Sequence, residues 1–205
     1  MSRSLTLQVG GFVPFTTVDY PGKLSAVVFC QGCPWRCGYC HNPHLQCFQR
    51  GQIAWREILA RLEKRIGFLD AVVFSGGEPT AQASLADAIR EIKDLGFLIG
   101  LHTAGIYPAR LAKILPHLDW VGFDFKAPLD ARYDQLTGAR RSADAVAESL
   151  ALLLEAKVPH QIRTTLDPAR LDELARSDLA RHLRQSGAGP THWQTCRKAA
   201  EEPAL

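Results

Sequence analysis

The 205-residue sequence lacks the features that mark membrane, secreted and nucleic-acid-binding proteins. No apolar run approaches the roughly 18 residues that a membrane-spanning helix needs, and no secretory signal follows Met1. The net charge is only +3, and the lysines and arginines are scattered along the chain rather than clustered. We therefore expect a cytoplasmic protein that binds neither membrane nor nucleic acid.

The sequence also lacks the cysteine pattern of a disulfide scaffold, because six cysteines are few for a chain of this length. Four of them lie between Cys30 and Cys40, Cys47 follows shortly, and Cys196 lies near the C-terminal end. In the reducing cytosol, clustered thiols are metal ligands or redox groups more often than disulfides. The cysteine cluster is therefore the first candidate for chemistry.

Internal repeats, low-complexity segments and linkers are absent too, and 46% of the residues are hydrophobic, enough to bury one good core. Strand-like apolar runs alternate with amphipathic helix-like segments, which is typical of βαβ units around a parallel sheet. The predicted strands are residues 25–29, 71–74, 97–101, 120–125, 161–165 and 192–194. Among the predicted helices, the one after Pro168 has an apolar stripe of Leu171, Leu174, Ala175 and Leu179. Six units are too few for a complete eight-stranded barrel. The sequence predicts an α/β fold, a partial (βα)6 TIM-like barrel with its chemistry at the C-terminal ends of the strands.

Three cysteines have a spacing suited to an iron–sulfur cluster. Cys33, Cys37 and Cys40 form a C-x3-C-x2-C pattern on the loop directly after the first predicted strand. Three thiolates this close can hold three corners of a [4Fe–4S] cluster, which usually takes four cysteines. The arrangement leaves one iron open to an external ligand, as a catalytic site requires and a pure electron carrier does not.

The cysteines alone leave a structural zinc site open as an alternative. His44 can complete a Cys3His set with the same three cysteines. Cys30 and Cys47 are the other candidates for a fourth ligand. For these two and for Cys196, a buried free thiol is the favoured interpretation.

Two further features carry a resemblance to a known family. Tyr39 places an aromatic residue just before the last cysteine, and the run Gly76-Gly77-Glu78-Pro79 follows the second predicted strand. In this order the motifs resemble the radical S-adenosylmethionine (radical SAM) superfamily. The resemblance implies a partial barrel of the radical SAM type, a [4Fe–4S] cluster on the three cysteines, and S-adenosylmethionine as cosubstrate.

Other segments narrow the resemblance to the glycyl-radical enzyme activating family, and within it to activating proteins of anaerobic ribonucleoside-triphosphate reductase. These segments are residues 18–23, 40–43, 124–129, 136–138 and 163–165. Residues 18–23 and 40–43 flank the first predicted strand, so we expect both to border the mouth of the cluster site. The resemblance runs from about residue 15 to residue 197. We expect residues 1–205 to form a single radical SAM domain whose core runs from about residue 15 to residue 197.

The resemblance assigns roles in cosubstrate binding to residues on the first two strand ends. Tyr39 is expected to lie against the adenine, with its own backbone and that of His41 at the adenine edge. The alternatives are simple packing for Tyr39 and, for His41, a loop residue bonded to nearby backbone. Gly76 and Gly77 permit close backbone approach, and with Glu78 they are expected to bind the ammonium group of the methionine moiety. Taken alone, the glycine pair also fits a turn that ends a strand.

Charged residues on later strands are expected to bind the rest of S-adenosylmethionine. Asp124 and Lys126 are two residues apart, so on a strand they face the same side. The resemblance implies that they bind the ribose hydroxyls and the carboxylate, and Arg163 is a second candidate for the carboxylate. The alternative is an internal ion pair that stabilises the barrel. His102 is left outside the predicted site, because it fits a ligand contact and a hydrogen-bonded loop histidine equally well.

The resemblance implies a function. An electron from flavodoxin or ferredoxin cleaves S-adenosylmethionine, and the resulting 5′-deoxyadenosyl radical removes a hydrogen atom from a glycine of a partner enzyme, anaerobic ribonucleoside-triphosphate reductase. The cluster and the cosubstrate carry the chemistry, so no side chain is predicted to be a catalytic acid or base. The alternatives are a radical SAM enzyme that acts on a small metabolite and a non-catalytic iron–sulfur or zinc protein.

Overall fold

The strands of residues 6–196, the part of the chain that the computed structural model describes, form one sheet in chain order. The strands are β1 (Val9–Thr16), β2 (Ser25–Cys30), β3 (Ala71–Gly76), β4 (Leu98–Thr103), β5 (Trp120–Asp124), β6 (His160–Leu166) and β7 (His192–Thr195). Strands β2 to β7 are parallel, and β1 pairs antiparallel with β2.

Helices connect the parallel strands. They are α1 (Trp55–Glu63), α2 (Leu85–Asp94), α3 (Pro108–Ile114), α4 (Ala131–Thr137), α5 (Ser142–Ala156) and α6 (Glu173–Ser186). The six predicted strands correspond to β2–β7, and the order of the elements confirms the predicted partial α/β barrel. None of these helices combines the length and the apolar character needed to cross a bilayer.

The edge strand β1 is not among the strands predicted from the sequence. Gly10, Gly11 and Pro14 are residues that strands generally exclude. Pro14 is tolerated because β1 lies at the edge of the sheet, where one side needs no ladder partner. Leu7 and Val9, which precede the predicted start of the domain core near residue 15, are buried in the main hydrophobic core, and the limits of the domain stay a prediction. The predicted end at residue 197 lies outside the described residues.

Two smaller differences concern helices. Helix α4 is not predicted from the sequence. Helix α6 begins later than its expected apolar stripe, because the Asp172 side chain accepts a hydrogen bond from Ala175 N and caps the helix there. Leu171 is buried just before the helix, whereas Leu174, which we expected on the apolar face, is 67% exposed.

The parallel strands present different side chains on their two faces, as the strand period of two requires. The outward-facing residues pack against the helices in the main hydrophobic core, among them Ala26, Val28, Phe74, Ile99, Leu101 and Phe123. The inner face is apolar near the N-terminal ends of the strands, where Val27, Val73 and Trp120 pack together. It becomes polar toward the C-terminal ends, where a cavity opens.

The loop between β1 and β2 forms the floor of this cavity. Because β1 is antiparallel, the loop lies at the N-terminal end of β2, opposite the cysteines. Tyr20 enters the inner apolar cluster with its ring centroid 5.3 Å from that of Trp120, and Asp19 lines the cavity above it. Our expectation that residues 18–23 border the mouth of the cluster site is therefore wrong.

Candidate active site

All eleven predicted site residues line one cavity of about 690 Å³ at the C-terminal ends of the strands. They are Cys33, Cys37, Cys40, Tyr39, His41, Gly76, Gly77, Glu78, Asp124, Lys126 and Arg163. The volume lies within the usual range for small-molecule and cofactor sites. The fold thus brings together residues that are far apart in the sequence.

Backbone hydrogen bonds anchor the start of the cysteine loop and close a turn within it. Cys33 N donates to Gln46 O at 3.1 Å, and Cys40 N donates to Cys37 O at 3.0 Å, which closes a turn between two of the cysteines. Burial and the charge of Glu78 raise the pKa of Cys33 to about 12, and burial also raises the pKa of Cys37. Iron must therefore displace the thiol protons, as it does in metal–thiolate sites generally.

The arrangement does not favour the zinc alternative. His44, its fourth ligand, is exposed on the 3-10 turn Pro43–Leu45 and does not line the cavity. Within residues 6–196, no three His, Cys, Asp or Glu side chains are arranged around a single ion. A cubane cluster binds each thiolate at a different iron, so its ligands need not converge on one point.

The remaining cysteines have different environments. Cys30 is fully buried, as expected, and its pKa is raised by burial. Cys47 is exposed, so the expectation of a buried thiol is wrong there. Cys196 is half-buried and lines the cavity, and its backbone N donates to Leu166 O at 3.0 Å.

The glycine pair locks the end of β3 against the base of the cysteine loop. Gly77 N donates to Cys30 O and Glu78 N donates to Gly32 O, each at 2.9 Å. A Cβ atom on Gly77 would lie only 2.4 Å from Gly32 O, and Gly76 has a φ of +109°. Both positions therefore need glycine for the packing of the chain as well as for any ligand that approaches the backbone.

Glu78 is a fully buried carboxylate held by four hydrogen bonds. Its Oε1 accepts from Thr80 N at 3.1 Å and from the hydroxyls of Thr80 and Thr103 at 2.6 Å, while its Oε2 accepts from Ala104 N at 3.0 Å. Burial raises the pKa of Glu78, and these bonds oppose that shift. The residue holds β3 to β4, a structural role that the sequence does not reveal; its contact with the ammonium group stays a prediction.

Asp124, Lys126 and Arg163 form an ion triad on the opposite wall. Arg163 Nε and Nη2 donate to Asp124 Oδ1 at 2.9 and 2.7 Å, and Lys126 Nζ lies 3.4 Å from Asp124 Oδ2. Burial favours a raised pKa for Asp124, but the two cations outweigh it and hold the pKa at about 2. Burial favours a lowered pKa for Lys126, and Asp124 reverses this and raises it. The internal ion pair is present, and ligand binding by the triad stays a prediction.

Tyr39 carries an orphaned polar atom, whereas His41 is exposed at the mouth. The Tyr39 hydroxyl is one of two buried side-chain polar atoms that lack a hydrogen-bond partner within residues 6–196. Burial raises its pKa. Lys126 Nζ lies 6.0 Å from the centroid of its ring. A buried hydroxyl without a partner is costly in a protein, so this position fits one that a bound group completes.

His102 lies on the cavity floor, where the sequence analysis left its role open. Its Nε2 is 2.9 Å from Asp19 O, its Nδ1 is 3.3 Å from Ser75 Oγ, and its ring meets the Trp120 ring edge-on. Burial and the neighbouring Arg163 lower its pKa to about 4, so the imidazole is neutral at neutral pH. Side chains alternate along strand β4, and this alternation places His102 on the inner face. The alternation is the feature of the sequence from which its position in the cavity could have been predicted.

Comparisons with known proteins agree with this geometry. Residues 27–179 match the family model described as the radical SAM superfamily. The chain is 30% identical over 183 residues to a Methanocaldococcus jannaschii protein named as a glycyl-radical enzyme activating enzyme, which covers 86% of this chain and 75% of that protein. It is 31% identical over 175 residues to a pyruvate formate-lyase-activating enzyme of Clostridium pasteurianum, covering 82% and 73% of the two chains.

A solved structure shows the same fold. The structure of anSMEcpe with bound AdoMet (S-adenosylmethionine) aligns with a TM-score of 0.63 at 14% identity, over 82% of this chain and half of the other. Radical SAM proteins use a [4Fe–4S] cluster and S-adenosylmethionine. The three thiols, the orphaned Tyr39 hydroxyl and the shared cavity fit these two groups. The chain belongs to the radical SAM superfamily and, within it, to the glycyl-radical enzyme activating family of S-adenosylmethionine-using oxidoreductases.

Proposed function

We propose that this protein generates a glycyl radical on anaerobic ribonucleoside-triphosphate reductase in the cytoplasm, with flavodoxin or ferredoxin as electron donor. The proposal is supported by the similarity to proteins named as activating enzymes over more than 80% of the chain. When bound, the cluster and S-adenosylmethionine supply a 5′-deoxyadenosyl radical that takes a hydrogen atom from the partner's glycine.

The residues of this chain bind and orient the cosubstrate. Gly76, Gly77 and Glu78 hold the ammonium group beside the cysteine loop, to which their backbones are bonded. Lys126 and Arg163 bind the carboxylate. Both cations are already paired with Asp124, so the incoming carboxylate shares them with it.

The remaining contacts fix the adenosine. Asp124 accepts hydrogen bonds from the ribose hydroxyls, Tyr39 lies along the adenine, and His41 covers the adenine edge at the mouth of the cavity. Held by these residues at its two ends, S-adenosylmethionine would lie beside the cysteine loop, and the buried apolar floor around Tyr20 would exclude water from below.

The observation that carries the choice of a protein substrate is the opening of the cavity along β7. His192, Gln194 and Thr195 line the cavity, yet every residue of β7 is exposed. The sheet order runs from β1 to β7 without closure among the described residues. A chain segment of another protein can therefore approach the cavity from the side, as a glycine loop must.

The choice of anaerobic ribonucleoside-triphosphate reductase as the partner rests on the segments that resemble the activating proteins of that enzyme. Residues 40–43, 124–129, 136–138 and 163–165 surround the cavity or support its loop: Arg36 N, in the cysteine loop, donates to Thr137 O at 2.8 Å. Residues 18–23 form the floor. A resemblance concentrated around the site supports a shared substrate more strongly than one confined to the core.

The test mixes the reconstituted, reduced protein with S-adenosylmethionine and anaerobic ribonucleoside-triphosphate reductase without oxygen. Electron paramagnetic resonance is expected to show a glycyl doublet on the reductase, with 5′-deoxyadenosine formed in proportion. A doublet on a different glycyl-radical enzyme alone would replace the partner and keep the activity. Formation of 5′-deoxyadenosine without a glycyl radical on any such enzyme would favour a small-metabolite substrate.

A further inference from the structure

The outer face of the cysteine loop carries arginines that have no part in the cavity. The inner side of the loop faces the cavity, where the cosubstrate and the glycine loop bind in the proposed function. An electron donor must therefore approach from the opposite, exposed side. On that side of the loop, Arg36 and Gly38 are exposed, and neither lines the cavity.

Arg36 lies directly over the ligand loop. Its Nη1 donates to Cys33 O at 2.7 Å and to Trp35 O at 2.8 Å, so the guanidinium is bonded to the backbone of a cluster-binding residue. Within residues 6–196, no carboxylate forms an ion pair with it. Its positive charge is therefore available to a partner.

Two other arginines from distant parts of the chain adjoin the same face. The Arg170 guanidinium lies against Gly38, so close that a Cβ atom there would be 2.7 Å from its Nη2. Arg140 lies two residues along the chain from Gly138, which adjoins this face, since an added Cβ atom on Gly138 would be 3.5 Å from Arg36 Cβ. Arg170 forms an ion pair with Asp167, whereas Arg140 is exposed and has no carboxylate partner in the described chain.

The charges of this face do not all cancel. Asp167 neutralises Arg170, and the exposed Arg141 pairs with Asp144. The nearby Asp134 accepts hydrogen bonds from the backbone N–H groups of Arg141 and Ser142 but keeps its negative charge. Four arginines therefore stand against three aspartates, which leaves one net positive charge beside the cluster loop, and Arg36 and Arg140 are the two arginines without an ion-pair partner in the described chain.

We propose that this outer loop face, formed by Arg36, Gly38, Arg140 and Arg170, is the docking surface for an acidic one-electron carrier protein. The inference rests on the proposed function and names the contact of its electron donor. One electron passes from the carrier to the cluster, so the carrier is oxidised by one electron, the cluster is reduced by one, and no bond forms or breaks. Complementary charge mainly accelerates the encounter and makes it salt-dependent.

The experiment measures the second-order rate of cluster reduction by a purified, reduced flavodoxin in a stopped-flow instrument, at low and high ionic strength. We compare the wild type with Arg36→Gln, Arg140→Glu and the double variant. Arg65→Glu is the matched control, since Arg65 is exposed in the turn that precedes β3, at the N-terminal edge of the sheet. Photoreduced deazaflavin serves as a small neutral reductant that needs no docking surface.

The double variant is expected to slow reduction by flavodoxin on the order of tenfold at low ionic strength, and the difference shrinks at high salt. Arg140→Glu alone is expected to slow it severalfold, a result that does not depend on the Arg36 contacts to the loop. Arg65→Glu, the iron content and the rate with deazaflavin are expected to be unchanged.

Several outcomes would overturn the docking surface. The first is an equal rate of cluster reduction by flavodoxin in the wild type and the variants. The second is an equal fall in that rate in Arg65→Glu. The third is an equal fall in the rate with deazaflavin, which would mean that the arginines act on the cluster itself. In a second assay that adds the reductase, variants that flavodoxin reduces as fast as the wild type but that transfer no radical would assign the face to the reductase instead. Because the stopped-flow assay itself contains no glycyl-radical enzyme, failure of the proposed function is distinguished from failure of the docking surface.

Discussion

The two walls of the cavity hold their functional groups in different ways. The cysteine wall, which consists of Cys33, Cys37, Cys40 and the run Gly76–Glu78, is built from backbone hydrogen bonds and close glycine packing. The ionic wall, which consists of Asp124, Lys126 and Arg163, is built from side chains that pair with one another.

This difference determines how well each wall tolerates substitution of its residues. The cysteine wall has no substitute for a lost ligand, because three thiols already leave one iron open. The ionic wall contains two cations around one carboxylate, so the loss of one member leaves another able to bind the cosubstrate. We therefore expect all-or-none effects on the first wall and graded effects on the second.

The largest effect is expected from the cysteine ligands. Cys33→Ala, Cys37→Ala and Cys40→Ala should each abolish the cluster, measured as iron content and visible absorbance after anaerobic reconstitution. Cys30→Ala, Cys47→Ala and Cys196→Ala should retain it, and the exposed Cys47 is the cleanest control. Cluster loss in Cys47→Ala, or stoichiometric zinc without iron in the wild type, would contradict the assigned ligands.

Glu78 should show the next largest effect, on stability and on binding together. Glu78→Gln replaces two acceptor oxygens by an amide that cannot accept all four bonds, and hydrogen bonds to charged groups contribute about 1.5–3 kcal/mol each. We expect a loss of roughly 3 kcal/mol in the unfolding of the cluster-free protein, measured with denaturant. The exposed Glu57→Gln should change stability by no more than about 0.5 kcal/mol. Equal behaviour of the two variants would remove the structural role.

Substitution of Lys126 tests whether the loss of one member of the ionic wall weakens cosubstrate binding without abolishing it. Lys126→Ala should weaken S-adenosylmethionine binding roughly ten- to hundredfold while the cluster is retained, because one charged hydrogen bond is lost and Arg163 remains. Titration calorimetry measures the affinity, and Lys93→Ala, at an ion pair outside the cavity, is the control. Unchanged affinity in Lys126→Ala would assign the triad to stability alone.

The smallest effect is expected from His102 on the floor of the cavity. The pKa of His102 is lowered to about 4, below its value in the unfolded chain, so the unfolded state gains the proton first as the pH falls. Its contribution to stability is complete above about pH 6.5 and is lost progressively down to about pH 4. Between neutral pH and about pH 5.5, the cluster-free wild type should lose about 1 kcal/mol more than His102→Gln, measured by denaturant unfolding. Parallel pH profiles would show that folding does not lower the pKa of His102.

Much of the cysteine wall was predictable from the sequence, because its motifs are local. Spacing alone places Cys33, Cys37 and Cys40 on one loop, and on the ionic wall period-two alternation places Asp124 and Lys126 on one side of a strand. These predictions need only the order of the strands and the alternation of their side chains. The register that sets Arg163 beside Asp124 is known only from the structure.

The remainder depends on contacts that the sequence does not encode locally. The antiparallel direction of β1, hidden by Pro14 and two glycines, moves Asp19 and Tyr20 from the expected mouth to the floor. The bonds of Glu78 to Thr103, and the gathering of arginines outside the loop, require β4 and the loops after β5 and β6 to be placed in space.

The most direct measurement of the central claim follows the transferred hydrogen atom. Anaerobic ribonucleoside-triphosphate reductase that contains glycine deuterated at the α-carbon is incubated with the reduced protein and S-adenosylmethionine, and 5′-deoxyadenosine is analysed by mass spectrometry. The account predicts that each 5′-deoxyadenosine formed with a glycyl radical carries one deuterium. Unlabelled 5′-deoxyadenosine, with the reductase unchanged, would contradict it.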